Sequence, residues 1–295
     1  MGKDLLILSR ERVVVFDGAM GTMLMAAGLP PGLNPEMWNL ERPEAVLDVH
    51  RKYYEAGSDV VHTNTFGANP LKLADRGLSE QTGILNREGA RIAREACPRG
   101  KFVAGDMGPT GKMPEPLGDV PLEKMEEGFL KQAEALLEGG VDFISIETMY
   151  SLEEALAALR GARRAGCDVV SVSMTFNRTK RGFFTVMGES PARCREALEK
   201  EGVDIIASNC TLGTGDMIDL TAELAGTGER PLLIQPNAGK PVSRRGVITY
   251  EQNPSEFAED CKDILKAGAT MIGGCCGTGP HFIRELVRVL SSDRR

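Results

Sequence analysis

The feature that most constrains this chain is an alternation of short apolar runs with helix-like segments, repeated eight times along the sequence. Each run is rich in β-branched or other apolar residues and ends in a small or polar residue, which is typical of a buried parallel strand. The eight predicted strands are Val13–Gly18, Asp59–Asn64, Phe102–Gly108, Phe143–Thr148, Val169–Met174, Ile205–Cys210, Leu232–Asn237 and Met271–Cys276.

Seven segments between or after these strands have the apolar spacing of amphipathic helices. Several begin at a serine before proline or glutamate, as at Ser255, and several end at a glycine, which are ordinary helix start and stop signals. The predicted helices are Pro43–Ala56, Leu122–Glu138, Ser151–Arg164, Pro191–Lys200, Asp216–Ala225, Ser255–Lys266 and Pro280–Leu290.

Strands that alternate with helices predict parallel pairing and right-handed crossovers. Eight units favour an α/β fold closed into a single (β/α)8 TIM-type barrel over an open doubly wound sheet, because no extra hairpin or second domain is evident. We therefore predict one domain over residues 1–295. A chain of this length buries a large core by itself, so any metal is expected to serve chemistry rather than folding.

The composition excludes several classes of protein. The formal net charge of −7 argues against a nucleic-acid binder, and the basic pairs Arg163-Arg164 and Arg244-Arg245 are too short to make a basic surface. No stretch approaches the roughly 18 apolar residues of a membrane span. The apolar run Leu5–Leu8 lacks a signal-peptide cleavage site, so we predict a cytosolic protein.

Chemistry in a barrel of this kind takes place where the strands end at their C-termini. Taken together, those ends form a ring that is unusually polar and rich in sulfur, beside apolar strand interiors. We predict that the functional site lies on this ring, which consists of Asp17-Gly18, Asn64-Thr65, Asp106, Glu147-Thr148, Thr175, Asn209-Cys210, Asn237 and Cys275-Cys276.

Three of the seven cysteines fall on the ring. Cys210 ends the sixth predicted strand, while Cys275 and Cys276 end the eighth, so the two strand ends lie roughly 10 Å apart. Three inward-leaning thiolates can meet on one zinc ion and leave the fourth tetrahedral position open. Such a site carries a net charge of about −1, which suits a substrate thiol bound as its thiolate better than the activation of water.

Spacing alone leaves other interpretations of these cysteines open. The adjacent pair could form a vicinal disulfide, the thiols could be core residues, or Gly273-Gly274 could belong to a phosphate-binding loop. The remaining cysteines are predicted to be structural, in or at the ends of helices. They are Cys97, Cys167, Cys194 and Cys261.

Seven strings spread over the chain resemble the homocysteine S-methyltransferase family and, within it, the homocysteine-binding barrel of the cobalamin-dependent methionine synthases. They fall at the strand ends, and a lone cysteine followed by a GGCC pair is the zinc signature of that family. The strings are FDGAMGTML (16–24), GSDVVHTNTFGAN (57–69), GDMGPTG (105–111), IETM (146–149), SNCTLG (208–213), QPNAGKP (235–241) and GGCCGT (273–278).

The resemblance implies a role for each matching residue. Cys210, Cys275 and Cys276 would be zinc ligands and thereby the catalytic residues, and the side-chain oxygen of Asn237 would take the fourth position until substrate displaces it. Asn237 is equally well read as a turn residue. Asp17 and Glu147 would receive the substrate's ammonium group. The candidate donors to its carboxylate are the backbone N–H groups of Gly18, Ala19, Asn64 and Thr65.

The resemblance also implies the reaction, in which the homocysteine thiolate attacks an activated methyl group and gives methionine. The expected donor is a methyl-corrinoid carried by a separate protein that docks over the barrel mouth. S-methylmethionine and S-adenosylmethionine are the alternative donors. Betaine fits less well because it needs an aromatic cage. Trp38 is a candidate lid residue, while His62 and His281 are interpreted as structural.

Two other classes of protein remain as alternatives. The first is a barrel lyase or aldolase with phosphate bound at Gly273-Gly274 and a Schiff base on Lys240. The second is a non-catalytic subunit that stores zinc or binds a corrinoid protein.

Overall fold

The strands of the protein are short and follow the predicted order along the chain. The computed structural model describes residues 2–30, 32–226, 228, 230–244 and 247–292. The strands are β1 (Val14–Val15), β2 (Val60–His62), β3 (Phe102–Met107), β4 (Phe143–Met149), β5 (Val170–Met174), β6 (Asn177–Thr179), β7 (Gly182–Phe184), β8 (Ile205–Gly213), β9 (Leu232–Asn237), β10 (Val242–Arg244), β11 (Val247–Thr249) and β12 (Met271–Ile272).

Eight of these strands form one parallel sheet, in the order β1-β12-β9-β8-β5-β4-β3-β2. A parallel bridge between Phe16, just after β1, and Val60 of β2 joins the two ends of this sheet. The sheet is therefore closed, and the predicted (β/α)8 TIM-type barrel is confirmed.

Helices connect the barrel strands on the outside, and short ones decorate the loops. The α-helices are α1 (Gly2–Glu11), α2 (Met20–Ala26), α3 (Trp38–Glu41), α4 (Pro43–Ala56), α5 (Pro70–Ala74), α6 (Thr82–Ala96), α7 (Leu122–Glu138), α8 (Leu152–Arg164), α9 (Pro191–Lys200), α10 (Thr214–Ala225), α11 (Pro254–Lys266) and α12 (Pro280–Ser292). Two 3-10 helices span Pro35–Met37 and Ser79–Gln81.

Several features of this architecture differ from the sequence prediction, since helices α1, α2, α3 and α5 were not predicted either. Helix α6 makes the crossover from β2 to β3, where no helix was predicted, and its buried face combines Leu85 and Ile92 with the polar residue Asn86. The expectation of no extra hairpin is wrong. The antiparallel pairs β6–β7 and β10–β11 follow the barrel strands β5 and β9, and each of their strands has three residues, which is too short for an alternating pattern to be recognised in the sequence.

Helix starts follow the predicted capping logic with one correction. The hydroxyls of Ser151 and Ser190 accept the backbone N–H groups of Glu154 and Arg193, as expected for N-caps of α8 and α9. At α11 the cap is Asn253 rather than Ser255, since the Asn253 side chain accepts the N–H of Glu256. The proline that follows Asn253 occupies the first helical turn, where it lacks an N–H that would need a partner.

The bottom of the barrel is sealed by the N-terminal helix. Leu5 of α1 is fully buried in a cluster with inward residues of the strands, including Phe16, Phe102, Phe143 and Leu233. Successive strand residues point to opposite faces, so Val15 packs outside, in the larger core between sheet and helices. The apolar run that begins at Leu5 is thus a barrel plug, and it leaves the opposite end of the barrel for polar groups.

None of the helices in the described ranges is long and apolar enough to cross a membrane. Arg164 pairs with Glu126 and Glu127 on the surface, in line with its interpretation as a solvated residue. Arg245, half of the second basic pair, lies outside the described residues. The cytosolic location and the single-domain assignment stay predictions.

Candidate metal and substrate site

Three cysteine sulfurs meet at the C-terminal mouth of the barrel. The Sγ atoms of Cys210, Cys275 and Cys276 all lie within 4.8 Å of one another. The pair Cys210 and Cys276 is separated by 3.8 Å. Two sulfurs bound tetrahedrally to one zinc ion would lie about 3.8 Å apart, given Zn–S bonds of about 2.3 Å. The predicted cluster therefore has the dimensions of a metal site.

The main chain sets the position of each sulfur. Cys210 lies within β8, where the register with β9 shifts between Asn209 and Gly213. Cys210 and Thr211 both have left-handed backbone conformations, with φ of 61° and 59°. Such conformations are costly for side chains other than glycine and are concentrated at functional sites. The irregular backbone turns the Cys210 thiol toward the turn that follows β12.

Cys275 and Cys276 lie in that turn, beyond β12 rather than at a strand end as predicted. The chain leaves the sheet at Gly273-Gly274, and a Cβ at Gly274 would lie 2.3 Å from Thr278 Oγ1, so only glycine fits. The turn is tied to β9 because the Cys275 N–H donates to Pro236 O at 2.8 Å.

Asn237 completes the rim on β9. Its Oδ1 accepts the Cys276 N–H at 3.1 Å, and the residue is 1% exposed. The Asn237 oxygen therefore lies beside a cysteine of the cluster and supports the turn, so both interpretations of this residue remain open.

These contacts argue against the phosphate-loop alternative. The N–H groups of Gly273 and Gly274 donate to Ile234 O and Asp17 O, so they are not directed at a ligand. Lys240 is 77% exposed and pairs with Asp216 at 3.2 Å. A Schiff-base lysine instead needs a desolvated pocket that lowers its pKa.

The three thiols are coupled through hydrogen bonds. The bonds that Cys210 and Cys275 make to the Cys276 sulfur lower the pKa of Cys276 well below that of an ordinary thiol. Hydrogen bonds with Cys210 and Cys276, together with burial, raise the pKa of Cys275. Negative charge thus collects on one sulfur that two thiols already face, as a cation-binding site requires.

The other four cysteines lie in or beside helices, as predicted. Cys261 is fully buried in α11, and burial raises its pKa well above the usual thiol value. They have no part in the cluster. The remaining members of this group are Cys97, Cys167 and Cys194.

Across the mouth, two carboxylates and an imidazole form a buried cluster. His62 Nδ1 lies 2.8 Å from Asp17 Oδ1, and the His62 backbone N–H donates to Asp17 Oδ2 at 2.9 Å. His62 Nε2 lies 3.3 Å from Glu147 Oε1 and 3.1 Å from Ser145 Oγ. The two predicted ammonium-binding residues are therefore brought together, with His62 between them.

Burial and charge shape the protonation of this cluster. Burial by itself would lower the pKa of His62, but the Glu147 and Asp17 carboxylates outweigh it and raise that pKa to about 10. Burial raises the pKa of Glu147, and His62 opposes the rise. Burial and the nearby Glu147 carboxylate raise the pKa of Asp106 well above its usual value. His62, interpreted from the sequence as structural, is thus a member of this charged cluster.

The four backbone donors predicted for a substrate carboxylate divide into two pairs. The N–H groups of Ala19 and Thr65 already donate, to Thr278 O and Thr63 O, each at 2.9 Å. That prediction is therefore not supported for these two. The N–H groups of Gly18 and Asn64 have no acceptor in the part of the chain that the structure describes. They remain the candidate donors.

Asn209 connects the two halves of the mouth, and the sequence placed it on the predicted ring without indicating a specific role. Its Oδ1 accepts the N–H of Thr148 at 2.9 Å and the hydroxyl of Ser173 at 2.6 Å. Its Nδ2 donates to Thr148 Oγ1 and lies 3.8 Å from Cys275 Sγ. Its place directly before Cys210 in the string SNC was the available clue.

Trp38 differs from its predicted role. The side chain is 4% exposed and lies under the Arg42 guanidinium, whose central carbon is 4.6 Å from the ring centroid. Such a cation–π contact stabilises a fixed position. Trp38 is therefore a packed residue and not a lid over the mouth.

Comparisons with known proteins relate this chain to enzymes that act on homocysteine or are named for making methionine. The family model described as Homocysteine S-methyltransferase matches residues 14–290. Methionine synthase of Mycobacterium tuberculosis is 35% identical over 311 residues, which cover 99% of this chain and 26% of that protein. Methionine synthase of Mycobacterium leprae is 34% identical over 307 residues, covering 98% and 25%. The chain thus spans about a quarter of the length of these curated relatives.

A solved structure extends the likeness to three dimensions. The metallated form of the homocysteine methyltransferase MmuM from Escherichia coli superposes with a TM-score of 0.79 and 25% identity, covering 96% of this chain and 98% of that one. The family match covers nearly all the barrel, including the sulfur cluster and the carboxylates. This chain therefore belongs to the homocysteine S-methyltransferase family.

Proposed function

We propose that this protein transfers a methyl group to the thiol of homocysteine and so forms methionine, with zinc held by Cys210, Cys275 and Cys276. The observation that carries the proposal is the pairing, at one mouth, of three sulfurs within 4.8 Å of one another with a buried carboxylate pair. A thiolate-rich zinc site suits a substrate sulfur, and the carboxylates suit its amino group. Zinc bound there would lower the pKa of the substrate thiol so that the sulfur is present as a thiolate.

The protein's own groups would orient the rest of the substrate. Asp17 and Glu147 accept hydrogen bonds from the ammonium group, and the N–H groups of Gly18 and Asn64 donate to the carboxylate. These four groups lie on β1, β2 and β4 or just after them. An amino acid held at both charged groups has one direction left for its side chain, toward the cysteines. Such fixed orientation supplies much of the rate in a displacement reaction.

In the transfer itself, a bond forms between the substrate sulfur and the methyl carbon as the bond from that carbon to the donor breaks. The electron pair of the broken bond stays with the donor, and the thiol proton has already been lost to solvent. We propose a methyl-corrinoid protein as the donor, since the resemblance is to the cobalamin-dependent type. The mycobacterial proteins named methionine synthase are also more similar in sequence than MmuM, at 35% against 25% identity.

Metal analysis and zinc X-ray absorption test the proposed site directly. We expect one zinc per chain with three sulfur neighbours in the reduced protein, and a fourth sulfur when homocysteine is added. Serine, which has no thiol, is the control and should leave the sulfur number unchanged. Reduced protein that binds no zinc, or a sulfur number that homocysteine does not change, would overturn the proposal.

The donor is tested separately by supplying homocysteine with one methyl donor at a time. Methylcobalamin, S-methylmethionine and S-adenosylmethionine represent the three alternatives, and methionine is measured in each case. We expect methionine with methylcobalamin, and its rate should depend on zinc. Turnover with only one of the other donors would replace the corrinoid assignment and leave the thiol site intact.

A further inference from the structure

We propose that His62 is a positioning residue whose imidazolium form holds Asp17 and Glu147 ionised and aligned, and thereby makes the site selective for thiols that carry an amino group. This inference rests on the proposed function and adds a residue to it.

The geometry places both ring nitrogens of His62 against acidic side chains. Nδ1 lies 2.8 Å from Asp17 Oδ1, and Nε2 lies 3.3 Å from Glu147 Oε1. The backbone N–H of His62 donates to the second oxygen of Asp17, so one residue fixes both oxygens of that carboxylate. Nε2 also lies 3.1 Å from Ser145 Oγ, so its proton would be shared between that hydroxyl and the Glu147 carboxylate. With Nδ1 donating to Asp17, only the doubly protonated ring has a second N–H at Nε2, because a neutral ring has a single N–H.

In the part of the chain that the structure describes, His62 is the basic residue that pairs with Asp17 and Glu147. Among the described residues, neither Asp17 nor Glu147 forms an ion pair with a lysine or an arginine. Both carboxylates lie in the buried mouth, at 1% and 13% side-chain exposure. Two buried carboxylates without a counter-charge repel each other, and one of them would take up a proton.

The groups that surround His62 define the charge of the cluster. Asp17 approaches from β1 and Glu147 from β4. Asp106 lies at the end of β3, and one of its oxygens is buried without a hydrogen-bond partner among the described residues. His50, fully buried on α4, has its pKa lowered to about 3 by burial and by the charge of His62, so it stays neutral. Burial favours the neutral form of Asp106, and among the described residues His62 is the one basic side chain that pairs with Asp17 and Glu147, so two carboxylates face one imidazole and can accept an ammonium group.

Selectivity follows from this arrangement. An ammonium group that enters finds two carboxylates already ionised and held in place, so binding requires no proton transfer or reorientation of the site. Pre-organisation of this kind increases affinity for the group that it matches and for no other group. The carboxylate and thiol ends of the substrate should therefore be indifferent to His62.

The test compares two ligands that differ only in the amino group. The dissociation constants of homocysteine and of 4-mercaptobutanoate, which has hydrogen in place of the amine, are measured by calorimetry on the zinc-loaded protein. Wild type is compared with His62→Gln, which keeps hydrogen-bonding capacity without the charge, and with His281→Gln, an exposed control. We expect His62→Gln to reduce the preference for homocysteine about tenfold or more, as for a lost charged hydrogen bond. The constant for 4-mercaptobutanoate should change less than about threefold in the same variant.

Other results of this binding experiment would overturn either the proposal about His62 or the proposed function. An unchanged preference in His62→Gln, or equal weakening of both ligands, overturns the proposal in favour of a structural role. Wild type that binds neither thiol contradicts the proposed function itself. In that case nitrogen-15 NMR of the three histidines of the wild type decides the point about His62 alone. A doubly protonated His62 at about pH 8, where an ordinary histidine is neutral, supports it, and a neutral ring overturns it.

Discussion

The two halves of the barrel mouth are built in different ways. On the sulfur side, at β8 and the turn after β12, the positions of the thiols follow from the main chain, through left-handed residues and a pair of glycines that no larger residue could replace. On the carboxylate side, at β1, β2 and β4, the residue after Glu147 is also left-handed, but Asp17 and Glu147 are in addition held against a common partner, His62. The sulfur positions therefore depend mainly on the main-chain conformation, whereas the carboxylate positions also depend on contacts between ionisable side chains.

The two halves should therefore respond differently to substitutions and to pH. A site defined by the main chain loses its function when a ligand atom is removed, but its geometry survives most changes around it. A site defined by mutual charge is sensitive to every charged neighbour and to pH. Asn209 makes hydrogen bonds to both halves, so its loss should disturb them together.

The largest effect is expected from Cys210→Ala on the sulfur side. Removal of one of three thiolates leaves two ligands in a site that is too open to retain zinc, because affinity depends on ligand number. We expect less than a tenth of the wild-type zinc content, on the order of a thousandfold loss of methyl transfer, and a fold that is retained. Zinc analysis and the methionine assay measure the first two, and circular dichroism measures the third.

Cys261→Ala is the matched control for that variant. Cys261 is buried in α11 and outside the cluster, so its loss removes a thiol without removing a proposed ligand. The variant should keep its zinc and its activity and lose about 1–2 kcal/mol of stability. Loss of zinc from Cys261→Ala, or retention of zinc by Cys210→Ala, would contradict the assignment of the cluster.

A smaller effect is expected where the two halves are joined, at Asn209→Ala. The variant loses the bonds to Thr148 and Ser173 and the contact with Cys275 Sγ. Groups that orient metal ligands typically account for about 10- to 100-fold in affinity or activity. We expect kcat/KM for homocysteine to fall by about that factor, with zinc still bound. Asn253→Ala, which removes only the cap of α11, should lower stability by about 1 kcal/mol and leave kcat/KM unchanged.

The same contrast explains what could be predicted from the sequence. The barrel follows from hydrophobic periodicity, a local property, and β9 was predicted with its observed ends, Leu232–Asn237. Spacing alone leaves several interpretations of the three cysteines open, and the prediction that they bind zinc comes from the resemblance of SNCTLG and GGCCGT to strings of the family. The contacts of His62 could not be predicted in this way, because they join it to Asp17, 45 positions away, and to Glu147 on another strand.

The pH dependence of stability tests the carboxylate side alone. The pKa of His62 rises from 6.5 to about 10 on folding. A raised pKa gives stability that is complete below about pH 6.5 and is lost as the pH rises through about 10. We expect the free energy of unfolding of the wild type to exceed that of His62→Gln by an amount that shrinks over this range, by at most about 1.4 kcal/mol per pH unit. A difference that stays constant from about pH 7 to 9 would argue against a charged His62.

The smallest expected effect is a difference in stability between two matched substitutions, one on each side of the mouth. Thr148 follows Glu147 on the carboxylate side and Thr211 follows Cys210 on the sulfur side, and both have left-handed backbones, with φ of 57° and 59°. Glycine relieves about 1–2 kcal/mol of strain at either position and loses roughly 0.5–1 kcal/mol in backbone entropy. Thr211→Gly should therefore leave the unfolding free energy unchanged or raise it by up to about 1.5 kcal/mol. Thr148→Gly also loses the hydroxyl that accepts from Asn209, so it should be less stable than Thr211→Gly by about 1 kcal/mol in urea unfolding. Equal stability of the two variants would mean that side-chain contacts matter no more on the carboxylate side than on the sulfur side.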